Sequence, residues 1–420
     1  MPSITRAALS NGLPVYRIAV EGTRATTILV AFDAGARTER EDENGMAHFL
    51  EHLVFKGGEK YPTYRDVNEA AERIGAVLNA YTSHDLVAFH ITARAQRALE
   101  AADLLTDFVA RSRVDPGELD RERGVIVQEI ARAGDQPAVI AEHLIDEAAF
   151  GDHPLGRPVL GPAEHIRDTF TREGILAFRA RRWSPGRGAA FVVGNLSGLD
   201  QSEGRLDELF GRFTSLPEPD PYEPAPAAQP RVLVRERDSN QSHLRMSYRP
   251  AIEVSDARQR AALTIYSTLL GGSMGSRLFD EIREQRGLAY SVHSIAHAYA
   301  DVPVLQLSAG LDSTKCIEAY SRMRAIVTEL RDDGPTESEV QRARAYAAGA
   351  RAIAFENTGV VARYAAQQTI LYGEDPDPDA AIELLDQVTL EEVTDVASQV
   401  AQELSVACVG PHTLEELESA

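Results

Sequence analysis

Between Ser215 and Pro230 the chain reads SLPEPDPYEPAPAAQP, dense in proline and without any amphipathic period. Such a stretch cannot continue a helix or a central strand, so it predicts a linker over 216–230. A chain of 420 residues exceeds one ordinary core. The expected domains are therefore 1–215 and 231–420.

The two flanks can be laid beside each other. The first shows an apolar strand (27–34), a short helix (about 45–56) and a second helix (about 64–74). Two strands follow around LNAYTSHDLVAFHITA, then a long helix (97–112) and another opened by Asp115-Pro116. The second flank shows the strand HLRMSYRP, a helix from about 256 to 270 and a helix near SRLFDEIREQ. Two strands follow around YSVHSIAHAYADVPVLQLSAG, then a long helix and another opened by Pro335-Thr336. Proline at the first turn of both last helices is well placed, since its missing N–H would be unpaired there anyway. This repeated order predicts an α+β protein of two homologous α/β-sandwich domains, each an antiparallel-rich sheet with packed helices.

The chemistry falls in the first flank only. GMAHFLEHLVFKGG has a helical pattern, with Met46, Phe49, Leu50 and Leu53 on an apolar side and Gly57 as a stop. Four residues of helix turn through about 400° and rise about 6 Å, so His48 and His52 share a face and can converge on one metal. Glu51 flanks that face, close enough to take a proton from water without ligating. The order is the inverse of His-Glu-x-x-His. A chance pair of helix histidines is the bland alternative.

A third ligand must come from elsewhere. DPGELDRERGVIVQEIARAGD carries Glu122 and Glu129, which return to one face two turns apart. They lie about 10 Å apart along the axis, so one ion cannot take both. Glu129 follows the apolar Val125-Ile126-Val127 and is assigned as ligand. Glu122, between two arginines, is assigned a role behind the ligands, orienting them. Aligned at their prolines, the two flanks set Ala343 opposite Glu122 and Ala350 opposite Glu129. The segment AALTIYSTLL, opposite the His-Glu-His helix, has neither residue type. The donors vanish from the second copy together.

Composition narrows the rest. A net charge of −21 disfavours nucleic acid and permits a basic peptide partner. No run approaches the roughly 20 apolar residues of a membrane span, and the start shows no signal peptide. A cytoplasmic location is expected. Cys316 and Cys408 lie far apart in sequence, near neither another sulfur nor a histidine pair, which speaks against a disulfide framework and a thiolate zinc site. His293 and His297 alternate along a strand, about 13 Å apart, too far for one metal. GGSMGSRL lacks the lysine of a phosphate loop and reads as a turn.

With these motifs together, HFLEH, a glutamate 77 residues beyond its second histidine, and LNAYTS, the chain resembles the M16 family of inverted zinc metallopeptidases. Its length is similar to the processing-peptidase-like members. The resemblance implies one Zn²⁺ per chain on His48, His52 and Glu129, with Glu51 as base and Glu122 as the second important glutamate. It implies that Asn79-Ala80-Tyr81 is an edge strand pairing with substrate backbone. It further implies that Arg283 and Tyr290, in IREQRGLAY, hold substrate and the tetrahedral intermediate. Asp85 stands where relatives often carry glutamate. Because related long chains enclose substrate with four domains, a homodimer is implied. The function expected is a zinc metalloendopeptidase acting on unfolded or presequence-like peptides. The alternatives are a non-catalytic assembly subunit, or a maturase for one precursor peptide.

Overall fold

The computed structural model describes residues 4–199, 203–214, 221–400 and 404–420. Residues 216–220 of the expected linker lie outside them. Two compact units form. One comprises Met1–Ile130, Pro158–Glu223 and Ala354–Asp379, the other Ala131–Arg157, Pro224–Ile353 and Ala380–Ala420.

In the first unit, β1 (Ile4–Ala8), β2 (Pro14–Ala19), β3 (Ala25–Phe32), β4 (Val77–Thr82), β5 (Val87–Arg94) and β6 (Gly188–Gly194) make one sheet in the order β1-β2-β6-β3-β5-β4. In the second, β7 (Val232–Glu236), β8 (Gln241–Tyr248), β9 (Ala289–Ala298), β10 (Pro303–Asp312) and β11 (Leu404–Gly410) run β7-β11-β8-β10-β9. Setting β1 aside, the two orders correspond strand for strand. Among the described residues each has a single parallel pair, β2 with β6 and β7 with β11, and antiparallel pairs elsewhere.

One face of the first sheet builds the main core with the helices Met46–Val54, Tyr64–Ile74 and Ala98–Ala110. The strands are apolar on their other face as well: Leu29, Ala31, Ala88, Phe191 and Val193 form a second buried cluster. A face like that must be covered. The cover is the helix Thr358–Tyr372, whose Val361, Ala362, Ala365 and Ala366 are small enough to lie close on the sheet. Asn357 caps its start and Gly373, left-handed, ends it. The second unit is finished likewise: the helix Pro137–Phe150 lays Ala141, Leu144, Ile145 and Ala148 against Ala407 and Val409. Each sheet thus takes one covering helix from the other half of the sequence. The compact units therefore exchange the segments 131–157 and 354–379 relative to the 1–215 and 231–420 boundaries.

The two cysteines do not remain apart. Cys316 and Cys408 are both buried, with sulfurs 4.0 Å from each other and His412 beside them. The spacing in sequence hid this, because strand and helix bring together residues 92 apart. Among the described residues no helix is long and apolar enough to cross a membrane.

Candidate metal centre

The helix Met46–Val54 is short, so its position depends on its ends. Gly45 precedes it at φ 97°, and a Cβ there would meet the Leu160 carbonyl oxygen at 2.7 Å. The buried Glu39 closes the N-terminus. One of its oxygens accepts from the backbone N–H of Ala47 (2.7 Å), the other from that of Gly45 (2.9 Å) and from the Asn44 side chain (3.2 Å). A carboxylate at this end satisfies amides that the helix itself leaves unpaired. Met46, Ala47, Phe49, Leu50, Leu53 and Val54 are buried. That anchored face fixes the rotation that presents His48 and His52 to the helix Pro116–Gly134.

There the two Nε2 atoms converge on one oxygen, Oε2 of Glu129, at 3.9 Å from His48 and 3.7 Å from His52. Glu122 is two turns away and nearly buried. Its Oε2 lies 3.1 Å from His52 Nδ1, and its Oε1 takes a 2.6 Å ion pair from Lys56. A carboxylate on Nδ1 fixes the ring's tautomer and aims Nε2 outward. Burial alone would raise the Glu122 carboxyl, but the bonds to His52 and Lys56 outweigh it and hold it low. Glu51 accepts a 2.5 Å hydrogen bond from the Thr82 hydroxyl at the end of β4, and burial pushes its carboxyl up.

The donor set fits a catalytic zinc site. Two imidazole nitrogens and one carboxylate oxygen is a known combination that leaves a fourth position open. Bonds of about 2.0–2.1 Å at tetrahedral angles would separate donors by about 3.4 Å, so each histidine need approach Glu129 by only a few tenths of an ångström, with all three donors already within 4.8 Å of one another. Burial, with the neighbouring His52, lowers the His48 imidazole to about 4, which leaves it neutral as a ligand must be. His52 is lowered by burial and raised more strongly by Glu122, Glu129 and Glu51. Negative surroundings that favour a proton there favour a cation too.

The other residues singled out by sequence are distributed differently. Asn79, Ala80 and Tyr81 lie on β4, which ends the sheet order and pairs only with β5 among the described strands. Leu78 and Ala80 pack toward the main core and Thr82 reaches Glu51, whereas Tyr81 packs on the opposite face. Asp85 is buried in an ion pair with Arg37 (3.1 Å). Arg283 and Tyr290 gather with each other in the second unit. The guanidinium stacks over Phe279 at 4.7 Å and faces the Tyr290 ring at 5.9 Å. Tyr290 is 86% exposed, at the start of the edge strand β9. It lines an open cleft of about 810 Å³ with His243, Arg245 and His293. Sequence reasoning missed Glu39, Lys56 and Thr82. Two of them left a trace: Lys56 lies four residues after His52, in the turn that follows the helix, and Thr82 lies within LNAYTS.

Residues 17–163 match the family described as Insulinase (Peptidase family M16), and residues 169–346 match its Peptidase M16 inactive domain. The chain belongs to peptidase family M16. It is 30% identical to an uncharacterized zinc protease of Bacillus subtilis over 97% of this chain and 98% of that one. It is also 30% identical to one of Mycobacterium leprae, over 97% and 92%. Among solved structures, a protease from Helicobacter pylori superimposes with a TM-score of 0.89 at 21% identity, covering 98% of this chain and 100% of the other. A chain of complex III2 from Candida albicans gives 0.83 at 14%, covering 97% and 96%. These two likenesses speak to the fold. For an M16 chain whose relatives carry the name zinc protease, the family and the donor cluster together support a zinc protease.

Proposed function

We propose that this M16 chain is a zinc metalloendopeptidase with His48, His52 and Glu129 as ligands, Glu51 as general base and Glu122 as the group that orients His52. The observation that carries the reading is the convergence of both Nε2 atoms on Glu129 Oε2, beside a Glu51 carboxyl held by Thr82. A bound zinc supplies Lewis-acid activation of water and of the scissile carbonyl. Glu51 takes the proton of the attacking water and returns it to the leaving amine. Its raised affinity for protons suits both transfers. Thr82 fixes that carboxyl from the end of β4, and the open edge of β4 can take an extended peptide as an added strand. The exposed Arg283–Tyr290 pair offers donors for substrate and for a developing oxyanion.

The net charge of −21 favours basic, unfolded segments as substrates, including presequence-like ones. A precursor-peptide maturase would be one specialised case. The fold likeness to a complex III2 chain raises the reading of an inactive assembly subunit, but an intact donor set and base have no purpose in one. The deciding experiment compares zinc content and peptide cleavage in wild type and Glu51→Gln, using matched basic and acidic peptides at low and high salt. Glu51→Gln should keep zinc while turnover falls by about 10²–10⁴. Turnover within a few-fold of wild type would remove Glu51 as base, and equal cleavage of both peptides at low salt would remove the charge preference.

The partner we propose is a second copy of the chain, since closed two-fold pairing is the commonest assembly of identical chains. Light scattering should give twice the chain mass. Mixed Glu51→Gln and Tyr290→Phe chains should recover activity if Tyr290 serves the partner's zinc. A fully active monomer would end the dimer proposal. The expected location of the chain is the cytoplasm.

A further inference from the structure

The only two cysteines of the chain meet in the core of the second unit. Their sulfurs are 4.0 Å apart, both are free thiols, and neither is exposed. His412 joins them, 7% exposed, with its Nε2 sharing a 2.8 Å hydrogen bond with the buried Ser242 Oγ. Cys316, Cys408 and His412 each offer a donor atom within 4.8 Å of the others. The residues come from four places: Ser242 from β8, Cys316 from the first position of the helix Cys316–Asp333, Cys408 from β11, and His412 from the turn before the helix Leu414–Glu418.

We propose that Cys316, Cys408 and His412, completed by the Ser242 hydroxyl, form a second, structural site for one thiophilic divalent cation of the zinc class.

Three observations favour this over ordinary packing. Thiols pack well in apolar cores, but that does not explain an imidazole and a hydroxyl drawn to the same point. Tetrahedral zinc–sulfur bonds of about 2.3 Å separate two sulfurs by about 3.8 Å, near the separation found here. A disulfide, at about 2.05 Å, would need the same core to contract by nearly 2 Å. Finally, Glu416 Oε2, which accepts from the Thr413 N–H (2.9 Å) in capping the last helix, lies 3.9 Å from His412 Nδ1, outside hydrogen-bond distance but on the side where metal-binding histidines usually carry a carboxylate. The Cys408-x₃-His412 spacing is the trace that the sequence holds: a strand end and the turn that follows it. Such a site would tie β11, which lies between β7 and β8, and the short final helix to the helix Cys316–Asp333. It would also double the expected metal content to two per chain.

The two sites differ in ligand chemistry, so cobalt distinguishes them. Thiolate ligation gives Co²⁺ an intense near-ultraviolet charge-transfer band, which an imidazole–carboxylate site does not produce. The full chain, reduced, stripped by chelator and titrated with Co²⁺, should show this band at one equivalent. The band should survive His48→Ala/His52→Ala and vanish in Cys408→Ser. His412→Ala, nearer the surface, keeps the test readable if the cysteine variant fails to fold; it should weaken Co²⁺ binding at least tenfold, with circular dichroism unchanged. Bound metal should also raise the melting temperature of the His48→Ala/His52→Ala protein. Cobalt binding that lacks the near-ultraviolet band and is abolished by the His48/His52 change would overturn the proposal. A Cys316–Cys408 disulfide in protein purified without reductant and with no bound metal would do the same. Either result would leave the His48–His52–Glu129 reading standing, and the first would support it.

Discussion

The helix Pro116–Gly134 and its counterpart Glu337–Ala354 share three buried positions, the second adding Ala348, and do different work. Leu119, Glu122 and Ile126 turn inward in the first; Val340, Ala343 and Ala347 turn inward in the second, at the same spacing. The partner helices differ in the same sense. Met46–Val54 carries two histidines and a glutamate, and Ala257–Ser267 carries neither type. An alanine at the central position suffices for the fold. A nearly buried carboxylate at Glu122 costs desolvation that Lys56 and His52 must offset. The difference teaches that the sandwich does not require this charge, so its presence belongs to the site.

Removing a donor from the first copy should have the largest effect. Glu129→Ala should lose the zinc of the His48–His52 site in metal analysis after dialysis, leaving any metal held by Cys316, Cys408 and His412, while Ala350→Glu should gain none, because its counterpart helix Ala257–Ser267 has no histidine. Normal zinc in Glu129→Ala would move the third ligand to Glu122 and break the comparison.

An exchange at the buried position should come next. Ala343→Glu puts a carboxylate where no lysine–histidine pair has been built for it, and should cost about 3 kcal/mol in urea unfolding. In the other direction, Glu122→Gln should fold but bind zinc about 10–100-fold more weakly, as read by competition with a chelator. Unchanged zinc affinity would make Glu122 an ordinary ion-pair partner of Lys56.

Much of this is legible in the amino-acid sequence. The His48/His52 spacing and the Glu122/Glu129 spacing are helical arithmetic within single elements. The matched order of elements in the two flanks carried the duplicated sandwich. What the sequence hid depends on chain reversal. Thr82 reaches Glu51 across 31 residues, and Glu39 caps a helix that starts beyond a short turn. The exchanged helices Pro137–Phe150 and Thr358–Tyr372 carry no local sign of which sheet they cover. Cys316 and Cys408 come from a helix start and a strand 92 residues apart.

The smallest effect concerns the acids at the start of the two matched helices, Glu118 and Glu339. Glu118 makes a surface ion pair with Arg121, one turn along its own helix. Glu339 is instead tied to the glycine-rich segment, accepting from Arg277 Nε (2.7 Å) and Nη2 (3.0 Å), and from the backbone and hydroxyl of Thr336 (2.8 Å each). Burial would raise its carboxyl, but Arg277 and Thr336 outweigh that and hold it at about 2. A carboxyl depressed in the folded state binds fewer protons there than in the unfolded chain. Its stabilisation is therefore full above the ordinary carboxylate range and is lost as pH falls from there through about 2. After allowance for solvent screening this is about 1 kcal/mol. Urea midpoints measured from pH 5 down to pH 2.5 should fall less steeply in Glu339→Gln than in wild type, and the two curves should converge at the acid end. Glu118→Gln should follow wild type throughout, because an exposed pair within one helix contributes little. If Glu118→Gln flattened the profile as much as Glu339→Gln, the second copy's loop would owe nothing to its arginine, and this part of the comparison would fail.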